Sequence, residues 1–367
     1  MAKRQKFDMN SPEAKAITDE IVHGTFMTEG TMVAFPLCFP GASSPIPLDE
    51  SRITALDITP DGHVYGGTSG FKAHLFVGMF HGVTGMVLDL ASIEGATECV
   101  AICCAKDKVV ACVNGPAGGR VVAFAYQGLP FDLIQEWGFS RPTLEELAFP
   151  LAGEPILHAT RTADGALIIG ITKTSLFTVD LSTGKVTRLA ELIGAGRITR
   201  DGAGKILGVD EHRALWRFDS ASGALNRRAI ALPQGAWEMG LHRWAWDPGR
   251  DTLYLSDDAS GLYSVGAQRG VEGPLAKAPL APVTAMAATF DGRLFGTCGD
   301  GIGRVFSFDP KSGSVRNLGV AASILERRRY GYEFADAVVG RDGQVYFAEN
   351  DNLGHLWLYF PRIAARV

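Results

Sequence analysis

The chain has 367 residues, of which 46% are hydrophobic and 44 are glycine, and its formal net charge is -5. This negative balance argues against a nucleic-acid partner, because phosphate backbones are bound by an excess of lysine and arginine. The N-terminal stretch is polar and no apolar run is long enough to span a bilayer, so we expect no signal peptide, no membrane partner and a cytoplasmic location. The six cysteines fall mostly inside β-type runs, which is typical of buried thiols in a reducing compartment.

The first predicted element is a short helix near the N-terminus. Ser11 is a suitable N-cap, Pro12 fits the first helical position and Gly24 ends the pattern, so a helix is predicted from Pro12 to about His23. The run TMVAFPL, from Thr31 to Leu37, has the β-branched and aromatic content of a strand.

From residue 53 onward the sequence repeats one pattern of three short β-type runs. In each copy a turn follows the first run and an irregular loop follows the second. The clearest copy is the last, YGYEFADAVVGRDGQVYFAENDNLGHLWLYFP. The seven copies begin at Ile53, Cys99, Ile156, Arg197, Trp244, Val283 and Tyr330. A period of roughly 40 to 50 residues with four strands is typical of a β-propeller blade, so we predict an all-β, seven-bladed β-propeller.

The last copy stops after its third strand, which would leave an unpaired edge in the closing blade. Unpaired strand edges are normally covered. We therefore predict that Thr31 to Leu37 supplies the missing outer strand and closes the ring. The predicted organisation is an N-terminal extension with a short helix (residues 1–30) and one propeller domain (residues 31–367).

The longest interruption of the repeat lies between the second and third copies, over residues 127–149. Thr143 and Glu146 have the spacing of a helix capping box, which predicts a helical turn in this insertion.

One face of the predicted ring carries the variable loops. In a meandering blade, the loops that enter the first strand and those that join the second and third strands share a face. We call this the loop-rich face and expect function there. When the third strands are aligned at their first residues, His74, Arg120, Arg304 and His355 fall in copies one, two, six and seven. These copies are neighbours once the ring closes, so we expect one arc of ionisable side chains; the alternative is that these residues only cap strand ends.

The loop that enters the last copy adds basic and phenolic groups to the same arc. Arg329 lies next to Tyr330 and close to Tyr332 in ERRRYGYE. Guanidinium groups beside phenols and imidazoles suit a carboxylate-bearing ligand. Further binding candidates on this face are Trp237, His242, Arg243 and Asn350. No HxH or HExxH motif occurs, so no metal site is assigned, and a divalent metal would have to be bound by residues from different blades.

The blade pattern VYGGTS followed by HLF, and VYFAEN followed by HLW, resembles the β-propeller polysaccharide lyases of the ulvan, oligogalacturonate and rhamnose-glucuronate lyase type. The resemblance covers the whole ring and includes no diagnostic catalytic string. It implies an enzyme that cleaves an acidic, uronate-containing oligosaccharide or polysaccharide by β-elimination.

From chemistry and placement, we assign His74, His355 or Tyr332 as base and acid, and Arg120 or Arg304 to the substrate carboxylate. Three alternatives remain open. The propeller could be non-catalytic and bind an acidic ligand, it could bind a partner protein, or it could be a glycoside hydrolase, which would need two carboxylates across the scissile bond.

Overall fold

The computed structural model describes residues 10–25, 27–38, 45–82, 84–126, 141–148, 153–192, 194–210, 212–266, 270–324 and 330–362. Within these ranges the chain forms one α-helix, one short 3-10 helix and 28 strands. The strands make seven antiparallel sheets of four strands each. The strand Phe334–Val339, from the sheet nearest the C-terminus, packs against the strand Arg52–Ile58, from the first sheet along the chain. The ring is therefore closed, and the seven-bladed all-β propeller is confirmed.

Six blades consist of four consecutive strands, which run in order from the inner to the outer strand. Blade 1 contains β2 to β5, at Arg52–Ile58, Val64–Ser69, Ala73–His81 and Thr84–Ile93. Blade 2 contains β6 to β9, at Glu98–Cys104, Lys108–Gly115, Gly118–Ala125 and Glu145–Ala148. Blade 3 contains β10 to β13, at Ile156–Arg161, Leu167–Thr172, Ser175–Asp180 and Val186–Glu191. Blade 4 contains β14 to β17, at Gly194–Arg200, Ile206–Asp210, Ala214–Asp219 and Ala224–Ala231.

The remaining blades follow the same plan. Blade 5 contains β18 to β21, at Trp244–Asp247, Thr252–Ser256, Gly261–Gly266 and Gly270–Lys277. Blade 6 contains β22 to β25, at Val283–Ala288, Leu294–Cys298, Arg304–Asp309 and Ser314–Val320. Blade 7 contains β26 to β28, at Phe334–Val339, Val345–Glu349 and His355–Phe360, and its outer strand is β1, at Thr31–Pro36.

Strand β1 closes the ring as predicted, one residue shorter than expected. It pairs antiparallel with β28, from Thr31 opposite Phe360 to Pro36 opposite His355. Glu29, just before β1, accepts ion-pair contacts from Arg293 and Arg316 of blade 6. The N-terminal strand is therefore held to two blades.

The N-terminal helix α1 spans Pro12–Thr25 and lies outside the ring against β25. The Ser11 side chain accepts the amide of Ala14 at 3.1 Å, as expected of an N-cap. At the other end Arg304 donates to the carbonyl of His23. In the described residues, no helix has the length and apolar character needed to cross a membrane.

The helical turn predicted in the insertion is wrong. Glu145–Ala148 forms strand β9, which pairs with β8 as the outer strand of blade 2. The edge of β8 would otherwise lack a partner, and tertiary pairing of that edge overrides the local capping signal. Residues 127–140 and 149 of the insertion lie outside the described ranges.

Inside several blades, aromatic side chains lie over glycines of the neighbouring strand of the same sheet. In four blades a second-strand glycine stands directly opposite a third-strand aromatic residue. These pairs are Gly66 with Phe76, Gly170 with Phe177, Gly208 with Trp216, and Gly296 with Phe306. At Gly208, an added Cβ would come within 2.5 Å of the Trp216 ring. Only glycine lets the ring lie flat on the strand.

Candidate functional site

The inner strands of all seven blades surround a central cavity of 280 Å³. Blades 3 to 5 contribute basic side chains to its wall, and blades 7 and 1 contribute acidic ones. The ionisable lining comprises Arg161, Arg197, Arg200, Arg243, Asp57, Asp336 and His158, together with the thiol of Cys103. Four guanidinium groups against two carboxylates leave the wall with an excess of two positive charges.

Several of these polar residues connect the inner strands of neighbouring blades. Each blade is a separate sheet, so the free edge of an inner strand needs partners from outside its own ladder. Asp336 accepts the amide of Leu56 at 2.9 Å, and Asp57 accepts the amide of Cys104 at 2.7 Å. These carboxylates therefore hold blades 7, 1 and 2 together.

Two of the arginines are bound to the framework in the same way. Arg197 pairs with Asp336 at 2.5 Å and donates to the Thr54 carbonyl at 3.2 Å. Arg243 donates to the carbonyl of Thr284 at 2.7 Å and to those of Leu241 and His242 at 3.0 and 3.1 Å. Burial, together with the charge of Arg197, lowers the pKa of Arg243 to about 9.

Arg161 and Arg200 are bound much less completely. They are the last residues of β10 and β14, in adjacent blades. The nearest carboxylate to Arg161 is Asp57, at 3.9 Å from its Nε. In the described part of the chain, Nη1 of Arg200 is buried and has no hydrogen-bond partner. Each guanidinium has five N–H donors, so this Arg161–Arg200 pair retains unused capacity to bind an anion.

The two guanidinium groups also act on each other electrostatically. Burial lowers the pKa of Arg200, and the positive charge of Arg161 lowers it further. The negative charge of Asp57 raises the pKa of Arg200, but by less than burial and Arg161 lower it. An anion between the two groups would relieve both the desolvation and the mutual repulsion.

Asp57 is the carboxylate that contacts Arg161, and its charge also acts on Arg200. Its side chain is 25% exposed and lines the cavity. Burial raises its pKa, although Arg161 and the amides of Cys104 and Ile58 favour the ionised form. A carboxyl group with a raised pKa beside a cationic pair can donate or accept a proton.

The cavity histidine, His158, is neutral. Burial and the nearby Arg197 hold its pKa well below the ordinary value. Its Nδ1 accepts the amide of Ile198 at 3.3 Å, which places the ring proton on Nε2. It therefore bridges blades 3 and 4 and cannot readily take up another proton.

The predicted binding residues His242 and Trp237 are both buried. His242 is 1% exposed and donates from Nε2 to the Arg197 carbonyl at 3.2 Å. Burial lowers its pKa to about 4. The Trp237 indole, 4% exposed, donates to the carbonyl of Pro233 at 3.1 Å. These contacts favour roles in holding loops rather than in contacting a ligand.

The four residues of the predicted arc do lie in adjacent blades, but they do not line the central cavity. His74 lies between two carboxylates, with Nε2 2.8 Å from Glu50 and Nδ1 3.1 Å from Asp89. Burial disfavours its charge, but hydrogen bonds and charges from Asp89 and Glu50 outweigh that effect and raise its pKa. A histidine that donates from both nitrogens has no lone pair for a substrate proton.

His355 occupies a similar position at the start of β28. It is 4% exposed, and its Nδ1 is 2.9 Å from the fully buried carboxylate of Glu349. Glu349 also accepts the amides of Tyr332 at 2.9 Å and of His355 at 3.1 Å.

The same capping contact recurs at the start of other third strands. A side chain within one residue of the end of the second strand accepts the amide of the first or second residue of the third. The acceptor and donor pairs are Thr68 with His74, Asp210 with Ala214, and Asp257 with Gly261. These contacts hold the backbone at the start of the third strand, whatever side chain occupies the aligned position.

The two arginines of the arc are bound to separate partners. Arg120 contacts Glu146 at 3.5 Å and donates to the Glu94 carbonyl. Arg304 donates to His23 at the end of α1. They anchor the outer strand of blade 2 and the helix, respectively.

The remaining predicted residues lie in the loops that enter and cross blade 7. Tyr332 is 39% exposed and forms a β-bridge with Ile302, and Tyr330 forms one with Ala322. The amide of Asn350 donates to the carbonyl of Glu333 at 2.6 Å. Arg329 lies outside the described residues. Catalytic or binding roles for the predicted set remain predictions.

Among the predicted residues, Arg243 lines the cavity in the described structure, whereas Arg161, Arg197, Arg200, Asp57 and Asp336 were missed. The available signal was the first strand of each copy. Three copies place a cavity-lining arginine or aspartate at or beside the end of that strand, in RITALD, ILHATR and RITR. The alignment of the copies at their third strands does not include these first-strand positions.

Within the described ranges, no group of three or more His, Cys, Asp or Glu side chains is placed to hold a metal ion.

Comparisons with known proteins support the architecture alone. No protein-family model and no curated protein matches the sequence. Among solved structures, the chain is similar to the extracellular domain of a protein described as a one-component system from B. thetaiotaomicron, with a TM-score of 0.60 and 11% identity. The match covers 89% of this chain and 39% of the length of that chain. It shows the propeller fold and gives no support to the predicted lyase family.

Proposed function

We propose that the protein binds a small carboxylate-bearing molecule in its central cavity, through Arg161 and Arg200. The observation that carries this proposal is the buried Nη1 of Arg200, which has no hydrogen-bond partner in the described structure. The surrounding cavity wall also has an excess of positive charge, which favours an anion as the missing partner. An unsatisfied buried donor is costly, and an ionic partner restores the lost interaction.

The size and composition of the cavity support a small organic acid. A volume of 280 Å³ accommodates roughly nine water-sized groups, which is the scale of a single small molecule. Trp244 and Trp246 contribute aromatic surface. The Trp244 indole is held by a 2.8 Å hydrogen bond to the Arg197 carbonyl. Planar guanidinium forks match the geometry of a carboxylate, and the indoles favour a ligand with an organic body.

The experiment is a thermal-shift screen with mono- and dicarboxylic acids, sugar acids and inorganic phosphate, followed by titration calorimetry of the best ligand. Arg200→Gln should weaken binding by about 10- to 100-fold, because a charge-assisted hydrogen bond contributes about 1.5–3 kcal/mol. Arg228→Gln is the matched control, since Arg228 is exposed on the outer strand of blade 4. Equal affinities for both variants, or no acid that binds the wild type, would overturn the proposal.

Elimination from a uronate is the second candidate for the same cavity. Asp57, with its raised pKa, lies beside Arg161, and that arrangement suits proton transfer next to a bound carboxylate. The assay follows the ultraviolet absorbance of the conjugated double bond during incubation with uronate oligosaccharides. Asp57→Asn should lower turnover by about 10² to 10⁴ with little change in binding. Binding of acids without any unsaturated product would reject elimination and leave the binding function standing.

A further inference from the structure

The ionisable residues of the central cavity lie at two depths along the inner strands. In blades 3, 4, 5 and 7 the inner strand leads into a tight turn, in which an amide donates to the carbonyl three residues earlier. Arg161 and Arg200 stand directly before the turns of blades 3 and 4. The residues four places before the turns also line the cavity, and we call them the mid-channel layer: His158, Arg197, Arg243 and Asp336.

Arg197 crosses the channel at the depth of this layer. It belongs to blade 4 and reaches Asp336 of blade 7 at 2.5 Å and the Thr54 carbonyl of blade 1 at 3.2 Å. In the closed ring, blades 7 and 1 are the two that stand opposite blade 4. The described lining residues of blades 1 to 4, 6 and 7 begin at or after the third residue of the inner strand. The cavity therefore extends from this ion pair towards the turns that follow the inner strands.

The mid-channel layer carries one net positive charge. Arg197 and Arg243 oppose the single carboxylate of Asp336, and His158 is neutral. Asp258 also acts on Arg243, but less strongly than Asp336, and it is not part of the described cavity lining. Burial and the charge of Arg197 lower the pKa of Arg243 to about 9, so the negative charge nearby does not compensate this guanidinium fully.

The outer end of the cavity has the same imbalance. Arg161 and Arg200 oppose the single lining carboxylate of Asp57. Asp164 and Asp201 act on Arg200 less strongly than Asp57 does, and neither is part of the described lining. A ligand with one negative charge would balance only one of the two depths, whereas a dianion would balance both.

Unused hydrogen-bond donors are present at both depths. At the outer end, Nη1 of Arg200 lacks a partner in the described structure. In the mid-channel layer, the described hydrogen bonds of Arg243 use its Nε and Nη1, which leaves the two N–H groups of Nη2. His158 accepts through Nδ1, which leaves its Nε2–H. A carboxylate can accept hydrogen bonds from such donors at either depth.

We propose that the ligand of the central cavity is a short dicarboxylate that lies along the channel axis. This proposal rests on the proposed function, because one carboxylate binds the Arg161–Arg200 pair. The other carboxylate binds Arg243 and His158 in the mid-channel layer. The ligand enters from the face that carries the turns after the inner strands, since Arg197 crosses the channel at the other end.

The dimensions of the cavity limit the length of such a ligand. Three residues separate the two depths along a strand, which corresponds to about 10 Å between backbone positions. The cavity of 280 Å³ holds roughly nine water-sized groups, which matches a dicarboxylate of about four to six carbon atoms. Trp244 and Trp246, which lie on the inner strand of blade 5, provide apolar surface for the carbon chain.

The test compares straight-chain dicarboxylic acids of this length with their half-amides, by titration calorimetry of the full chain at neutral pH. In a half-amide, one carboxylate is replaced by a carboxamide of the same size without charge. The best dicarboxylate should bind the wild type at least about tenfold more tightly than its half-amide, because a charge-assisted contact is lost. Equal affinities would overturn the dicarboxylate proposal but leave carboxylate binding at the Arg161–Arg200 pair in place. A wild type that binds no carboxylic acid at all would reject both proposals.

Arg243→Gln tests the position of the second carboxylate. It should weaken binding of the dicarboxylate by about tenfold and leave the half-amide unchanged, whereas Arg200→Gln should weaken both ligands. Arg228→Gln, at an exposed position on the outer strand of blade 4, is the control and should change neither. Equal weakening of both ligands by Arg243→Gln would contradict the second binding position. Thermal unfolding verifies that each variant is folded, and the wild-type comparison needs no variant.

Discussion

His74 lies between Glu50 and Asp89, and its raised pKa makes it a source of pH-dependent stability. Arg141 also approaches Asp89, at 3.5 Å, so the protonated imidazole is one member of a charged cluster. Because the folded pKa exceeds the unfolded one, the stabilisation is fully present below the unfolded pKa and is lost as pH rises through the folded pKa.

We predict that His74→Gln lowers the free energy of unfolding more near pH 6 than near pH 9. Urea unfolding of both proteins at the two pH values gives the difference directly. The lowered pKa values of His158 and His242 act in the opposite direction, but they are common to both proteins and cancel. His81→Gln, at an exposed strand end, is the control and should show no such trend. An equal loss at both pH values would contradict the cationic state of His74.

The hydrogen-bond partners of single side chains were the least predictable feature of the structure. Repetition in the sequence identifies the start of each third strand, but it does not indicate which polar side chains already have a backbone partner. Glu349, for example, lies 17 residues from Tyr332 along the chain and binds its amide only because β26 and β27 pair. The spare hydrogen-bonding capacity of Arg200 likewise becomes visible only when its neighbours in blades 3 and 1 are in place.

At the scale of elements, strand β1 determines whether blade 7 has an outer edge. Met32 and Val33 are fully buried, and every residue of β1 has a partner in β28. Deletion of residues 1–38 should therefore abolish cooperative thermal unfolding, because it exposes the edge and apolar side chains of β28. Addition of a peptide with residues 27–38 should restore stability by mass action. A truncated protein with unchanged melting would refute this closure.

The strands themselves were largely predictable, since Asp-Gly turns and β-branched runs are local signals. The closing strand followed from the count of strands in the last copy. Strand β9 was not predictable in this way, because the segment TLEELA that contains it has helical character and its strand conformation depends on pairing with β8.

At the scale of the whole molecule, the proposed anion site lies towards one face of the ring. Arg161 and Arg200 end their inner strands, so they lie towards the face that carries the turns between first and second strands. This face is opposite the loop-rich face, where the sequence predicted the functional residues.

The architecture of the ring was predictable because it follows from the number of repeats, whereas the chemistry of the cavity was not. A wall that takes Asp57 from blade 1, Arg161 from blade 3 and Asp336 from blade 7 exists only after the ring has closed. The fold therefore indicates where a ligand can bind, and the unpartnered donors indicate its charge.

The most direct test of anion binding in the cavity is a crystal structure of the protein with a brominated carboxylic acid that binds it in calorimetry. The bromine is located by anomalous diffraction. We predict a bromine peak inside the central cavity, with the carboxylate within hydrogen-bond distance of both Arg161 and Arg200, and a weaker peak for Arg200→Gln at the same ligand concentration. A ligand bound elsewhere, with the cavity containing only water between these two arginines, would contradict anion binding at this pair.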